Sequence, residues 1–226
     1  MFPISDSVKS RKFPLFTIII IAANVLVFAL MLLGDTDSIV ASYALTPSLV
    51  NFKDPQTLIP FISSQFLHGG FFHIFSNMWF LWIFADNIEE RLGKIRFLIL
   101  YILSGIVGAF LQYIISFDSA IPMLGASGAV SGILGAYFVL FPRHKIRSVV
   151  FLLFAITTLN IPASFYILYW FIVQLFSGFA SLPSISPQTG GVAFFAHVGG
   201  FAFGYFITKY LFAREKKSWI EGIIID

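Results

Sequence analysis

Apolar runs broken by short polar clusters organise this chain. The runs fall at residues 14–33, 71–89, 95–117, 127–141, 149–182 and 192–212. Several approach or exceed the ~18 apolar residues that mark a membrane-spanning helix. The pattern predicts an all-α, polytopic membrane protein with a six-transmembrane-helix bundle over residues 14–212. A short segment, residues 1–13, precedes it, and a tail, residues 213–226, follows. The fifth run is too long for one straight helix, and Asn160-Ile161-Pro162 marks a break, since proline lacks the backbone donor and restricts the residue before it. Two forms fit there: a kinked helix, or a short interfacial segment followed by a span. No internal repeat is evident, which argues against a transporter of duplicated halves.

Composition supports this assignment: 58% of the 226 residues are apolar and 11% charged, against roughly 45–50% apolar in soluble domains. The first run follows a short basic region, exceeds a signal-peptide core and lacks an Ala-x-Ala-like site after it, so it is read as a retained span. Cysteine is absent, so disulfides, thiolate zinc sites and cysteine nucleophiles are excluded. With six spans, thirteen of the fourteen Lys and Arg residues fall on one face, leaving Lys53 for the other. By the positive-inside rule both termini are then cytoplasmic. The net charge of +3 is an orientation signal and implies no nucleic-acid partner. The lipid bilayer is the expected surroundings, and the compact chain fits a multi-pass protein of a prokaryotic cell membrane. Nothing in the sequence specifies an oligomeric state.

Polar residues converge at one depth. The fourth run is short: fifteen residues at ~1.5 Å each give ~22 Å, less than the ~30 Å hydrocarbon core. Its outer end, opened by Gly125-Ala126-Ser127-Gly128, should therefore lie below the membrane surface, under a loop lining a recess. His197 enters from the same side, about five residues or ~8 Å deep. His73 and Asn77, four apart, share one face in the first turns of the second run. Gly128, Gly132 and Ala136 recur every four positions along the fourth run, and Ala196, Gly200 and Gly204 along the sixth. Such stripes let two helix backbones approach closely. The approach is expected to bring the Ser127 hydroxyl within hydrogen-bonding reach of His197.

These residue types allow acyl transfer. A serine hydroxyl needs a base to take its proton, and imidazole suits that near neutral pH. Ser127 and His197 are the candidate catalytic pair, and with no acid at their depth they form a dyad. Ser127 alone would read as packing. His73 and Asn77 carry two readings: interhelical hydrogen bonds, or donors to a developing oxyanion alongside the helix-start amides. Gln112, Asn160 and Gln174 are read as interhelical bonds, and His144 as interfacial. The 29 phenylalanines are packing and lipid contact.

Three elements, in order, resemble the rhomboid family of intramembrane serine proteases. They are His68-x4-His73-x3-Asn77 with Glu90-Arg91-Leu92-Gly93, then Gly125-Ala126-Ser127-Gly128, then Gly191-x5-His197-x2-Gly200-x3-Gly204. The resemblance implies a rhomboid-like bundle that cleaves transmembrane segments of single-span substrates near the outer leaflet, without cofactor or metal. It implies Ser127 as nucleophile, His197 as general base, His73 and Asn77 at the oxyanion, His68 in a structural role, and Gly125, Gly128, Gly132, Gly200 and Gly204 as packing at the site. The alternative is a catalytically silent rhomboid-like protein that binds or escorts membrane proteins. Two departures stand out. Ser131 replaces the aromatic that stacks on the catalytic histidine in some members, leaving Tyr166 and Tyr169 as candidates to hold His197. The first outer loop lacks the Trp-Arg pair of some members.

Overall fold

The computed structural model describes residues 1–8, 10–152, 155–181 and 193–212. The sequence readings on Lys9, Gly191, Arg214, Lys216, Lys217 and the rest of the 213–226 tail lie outside the described residues. Six helices form the membrane bundle: α1 (Leu15–Leu33), α4 (Phe71–Leu92), α5 (Lys94–Ile115), α6 (Ser127–Leu140), α7 (Ala163–Ser181) and α8 (Phe194–Ile207), the last running into a π turn at Thr208–Phe212. By length and composition, α1, α5 and residues 163–180 of α7 are long and apolar enough to cross a membrane. Two short helices, α2 (Thr36–Tyr43) and α3 (Pro60–Ser63), lie in the first loop.

The core sits around α6. Residues Gly128 to Tyr137 of that helix are all buried, so it is surrounded on every side. Its neighbours reach it because the contact positions are small. A Cβ built on Gly200 would run into the Gly128 carbonyl, and one on Gly204 into the Gly132 carbonyl. Gly108 of α5 meets the Ala196 carbonyl in the same way, and Gly132 meets Ser104. α5, α6 and α8 are therefore in backbone contact, the geometry that stripes of small residues permit. Gly93 (φ +79°) ends α4 and lets α5 begin at the next residue.

The fifth apolar run divides at Pro162, as the second expected form has it, but the segment before the span is a pair of strands. Strands β2 (Lys145–Leu152) and β3 (Ala155–Pro162) pair antiparallel, and the span begins only at Ala163. The physical reason is the density of β-branched residues (Ile146, Val149, Val150, Ile156, Thr157, Thr158 and Ile161), which favour a pleated strand. Apolarity alone does not separate a strand from a span. Asn160 consequently lies opposite Arg147 in the sheet, and the interhelical role expected of it is corrected. The N-terminal segment adds β1 (Phe2–Asp6), giving the sheet order β1-β2-β3, antiparallel throughout.

Side chains of the bundle fasten that segment. Glu89, buried at the end of α4, accepts from the N–H groups of Phe16 and Thr17 and from the Thr17 hydroxyl (3.0, 2.8 and 2.8 Å). It serves as the N-terminal cap that α1 lacks from its own sequence. Trp79 donates its indole N–H to the Pro3 carbonyl at 2.8 Å. Asp6 accepts from the Tyr137 hydroxyl (2.6 Å) and from the Asn87 amide (2.7 Å).

Burial holds the Asp6 carboxyl above its ordinary range, against the opposing hydrogen bonds from Tyr137 and the Val8 backbone. The folded state thus binds this proton more tightly than the unfolded chain. Asp6 contributes stability below the ordinary carboxylate range and loses it as pH rises through the raised value. Thermal unfolding in micelles from about pH 4 to about pH 7 should show a fall in stability that Asp6→Asn reduces. An identical pH dependence in the variant would refute this account of the strand.

Candidate active site

Gly125 makes the turn into α6. It adopts φ +124°, a region that side chains disfavour, and its N–H donates to the Ser64 carbonyl at 2.9 Å. A Cβ there would lie 2.6 Å from His73 Nε2 and 3.8 Å from Asn77 Nδ2, so both side chains are against the turn that delivers Ser127. The two loops over this end are joined. Leu45 and Met123 exchange backbone hydrogen bonds at 2.9 and 2.8 Å, and Ser48 N–H donates to the Ser119 carbonyl at 3.0 Å. α6 is fourteen residues long, which at ~1.5 Å per residue is shorter than a ~30 Å hydrocarbon core.

Ser127 is the first residue of α6 and half-buried, while His197 on α8 is 8% exposed. The Ser127 Oγ lies 2.7 Å from His197 Nε2. The Gly128–Gly200 contact one residue along makes this possible, because a Cβ on Gly200 would run into the Gly128 carbonyl. On α4, Asn77 is buried and donates its amide to the His73 carbonyl at 3.1 Å. The His73 ring stands edge-on to His68 at 5.1 Å, and His68 is fully enclosed. The first N–H groups of α6 have no intrahelical acceptor, so Ser127 sits among backbone donors as well. Among the described residues no group of three or more His, Asp or Glu side chains is placed to hold a metal ion.

The aromatic beside His197 is not one of those expected. Tyr166 stacks on Phe84 at 6.3 Å and Tyr169 is half exposed, so neither takes the place of the stacking aromatic. Trp170 does, its ring 6.1 Å from the imidazole and tilted by 32°. Ser131 instead donates to the Ser127 carbonyl at 2.6 Å, satisfying itself within α6. Gln174 makes the interhelical bond expected of it, and its partner, unnamed by the sequence, is the candidate base: its Oε1 lies 2.7 Å from His197 Nδ1. The i, i+4 spacing of Trp170 and Gln174 was the available signal, since it sets both on one face of α7. Gln112 does bridge helices, accepting from the Phe195 N–H at 3.0 Å. His144 lies at the far end of α6, 3.1 Å from the Tyr137 hydroxyl, away from the site.

A serine and a histidine thus meet on facing helices of a helical membrane bundle. The family model for the Rhomboid domain matches residues 55–214. The chain belongs to the rhomboid family. It is similar to the human presenilin-associated rhomboid-like protein, mitochondrial, with 28% identity over 84% of this chain and 47% of that protein. RHOMBOID-like protein 4 of Arabidopsis thaliana is 32% identical over 71% of this chain and 36% of its own length. Rhomboid protein 1, mitochondrial, of Saccharomyces cerevisiae is 42% identical over 41% of this chain and 28% of its own. The chain thus spans about half or less of the curated relatives it matches. These findings overturn the expected prokaryotic cell membrane with cytoplasmic termini: the human and yeast relatives are mitochondrial by name. Charge asymmetry reports which face the basic loops share, and cannot say which membrane holds the chain.

Replacing Gly200 with leucine should drive side-chain atoms into the Gly128 carbonyl and separate α6 from α8. Overpacking typically costs about 1–3 kcal/mol, and here the loss should appear as a lowered unfolding temperature in micelles together with loss of any Ser127-dependent activity. A fully active, equally stable variant would contradict the close packing.

Proposed function

We propose that this chain is an intramembrane serine endopeptidase that cleaves transmembrane segments of membrane proteins. The observation that carries the reading is the 2.7 Å contact between Ser127 Oγ, at the start of α6, and His197 Nε2. In the proposed cycle, His197 Nε2 takes the hydroxyl proton as Ser127 Oγ bonds to the scissile carbonyl carbon. Asn77, His73 and the amides at the start of α6 donate to the resulting oxyanion. Collapse breaks the C–N bond, and the leaving amine takes the proton from His197. Water then attacks the acyl ester, again through His197, and frees Ser127.

A helical segment hides its carbonyls in hydrogen bonds, so the substrate must unwind locally. Single-span substrates with Gly, Pro or Ser near the cut, and small residues at it, suit this requirement. The relatives' names favour a mitochondrial membrane as the setting. A silent binding or escort role is the weaker reading, because an intact, hydrogen-bonded serine and histidine would have no use there.

Purified protein should cleave a single-span substrate bearing such a weakened segment. Ser127→Ala and His197→Ala should abolish the product, and Asn77→Ala should lower kcat about 10²–10³-fold. Cleavage that persists in Ser127→Ala would end the assignment.

A further inference from the structure

His197 is engaged at both ring nitrogens, and from two different helices. Nε2 faces Ser127 on α6, and Nδ1 faces Gln174 on α7, each at 2.7 Å. A neutral imidazole carries one proton, and the partner of one nitrogen sets which nitrogen holds it. The Gln174 atom in contact is the amide oxygen, which only accepts. The proton therefore belongs on Nδ1, and Nε2 keeps its lone pair toward the serine. The other tautomer would aim an N–H at the hydroxyl and leave nothing to receive the serine proton. The tilted Trp170 ring, one turn earlier on α7, closes one side of the imidazole against rotation.

We propose that Gln174 is a positioning residue that locks His197 in the Nδ1–H tautomer, making the dyad a Ser–His–Gln array drawn from three helices. The inference rests on the protease reading. Gln174 exchanges no proton: when Nε2 takes the hydrogen from Ser127, the imidazolium still donates from Nδ1 to the same amide oxygen. That bond strengthens as charge develops, so its effect falls on the chemical step. α7 is also the least enclosed of the three long spans, with 22% of its apolar window buried against 28% for α1 and 39% for α5. The seating of this peripheral helix thereby governs whether the base is correctly protonated.

The test compares the full chain with Gln174→Leu and Gln174→Glu in substrate cleavage. Gln174→Leu, near in shape but unable to accept, should lower kcat about ten- to a hundredfold with KM unchanged. Gln174→Glu, which accepts the same proton, should restore most of kcat. Long-range ¹H–¹⁵N correlation spectra of histidine-labelled wild type should place the His197 proton on Nδ1, and Gln174→Leu should move or mix it. Unchanged kcat in Gln174→Leu, an equal loss in both variants with raised KM, or a wild-type proton on Nε2 would each overturn the assignment. Should Gln174→Leu fail to fold, the wild-type spectrum and Gln174→Glu still decide. Ser127→Ala in parallel separates the two claims: its continued cleavage removes the protease reading, whereas its inactivity beside a fully active Gln174→Leu removes only the role of Gln174.

Discussion

Two helix backbones can touch only where neither carries a side chain at the crossing. In this bundle Gly128 and Gly132 of α6 lie so close to Gly200 and Gly204 of α8 that a Cβ on Gly200 or Gly204 would meet their carbonyls. Lipid tails are as apolar as leucine, so burial alone would not hold these helices together. Close packing of backbone on backbone does so, and it sets the spacing within which a serine on one helix meets an imidazole on the other. The remaining features support this contact. The turn at Gly125 aims Ser127, the paired loops lie over this end, and α7 supplies the groups that flank the histidine.

The opposite end of α6 is held as firmly. Tyr137, ten residues beyond Ser127, donates to Asp6 of the N-terminal strand, and Asn87 of α4 holds the same carboxylate. Glu89 caps the start of α1. The charged end of the bundle therefore braces the helix whose other end carries the site. Such polar networks are satisfied member by member, which lets an α-helical bundle carry a three-stranded sheet at its edge.

Much of this was legible in the sequence. Hydropathy placed α1, α4, α5, α6 and α8 within a few residues, because a bilayer leaves uncharged apolar runs few other forms. The contact between Ser127 and His197 was legible from glycine spacing and the shortness of α6. The sheet was not: residues 149–162 are as apolar as a span, and their β-branched character was the discriminating signal. Gln174 was legible as an interhelical bond but not its partner, since one polar side chain in a span does not name what it meets. Its spacing from Trp170 matters only once α7 is known to face α8. The membrane's identity was misjudged because charge placement and compactness carry no information about organelle.

The central claim is that the Ser127 hydroxyl and the His197 imidazole act as nucleophile and base at the start of α6. An experimental structure of the protein after reaction with a fluorophosphonate tests it most directly. The account predicts a phosphorus bonded to Ser127 Oγ, with His197 Nε2 within hydrogen-bonding distance of the adduct and Asn77 or the α6 amides facing its phosphoryl oxygen. An adduct on another residue, or an unmodified Ser127 turned away from His197, would contradict it.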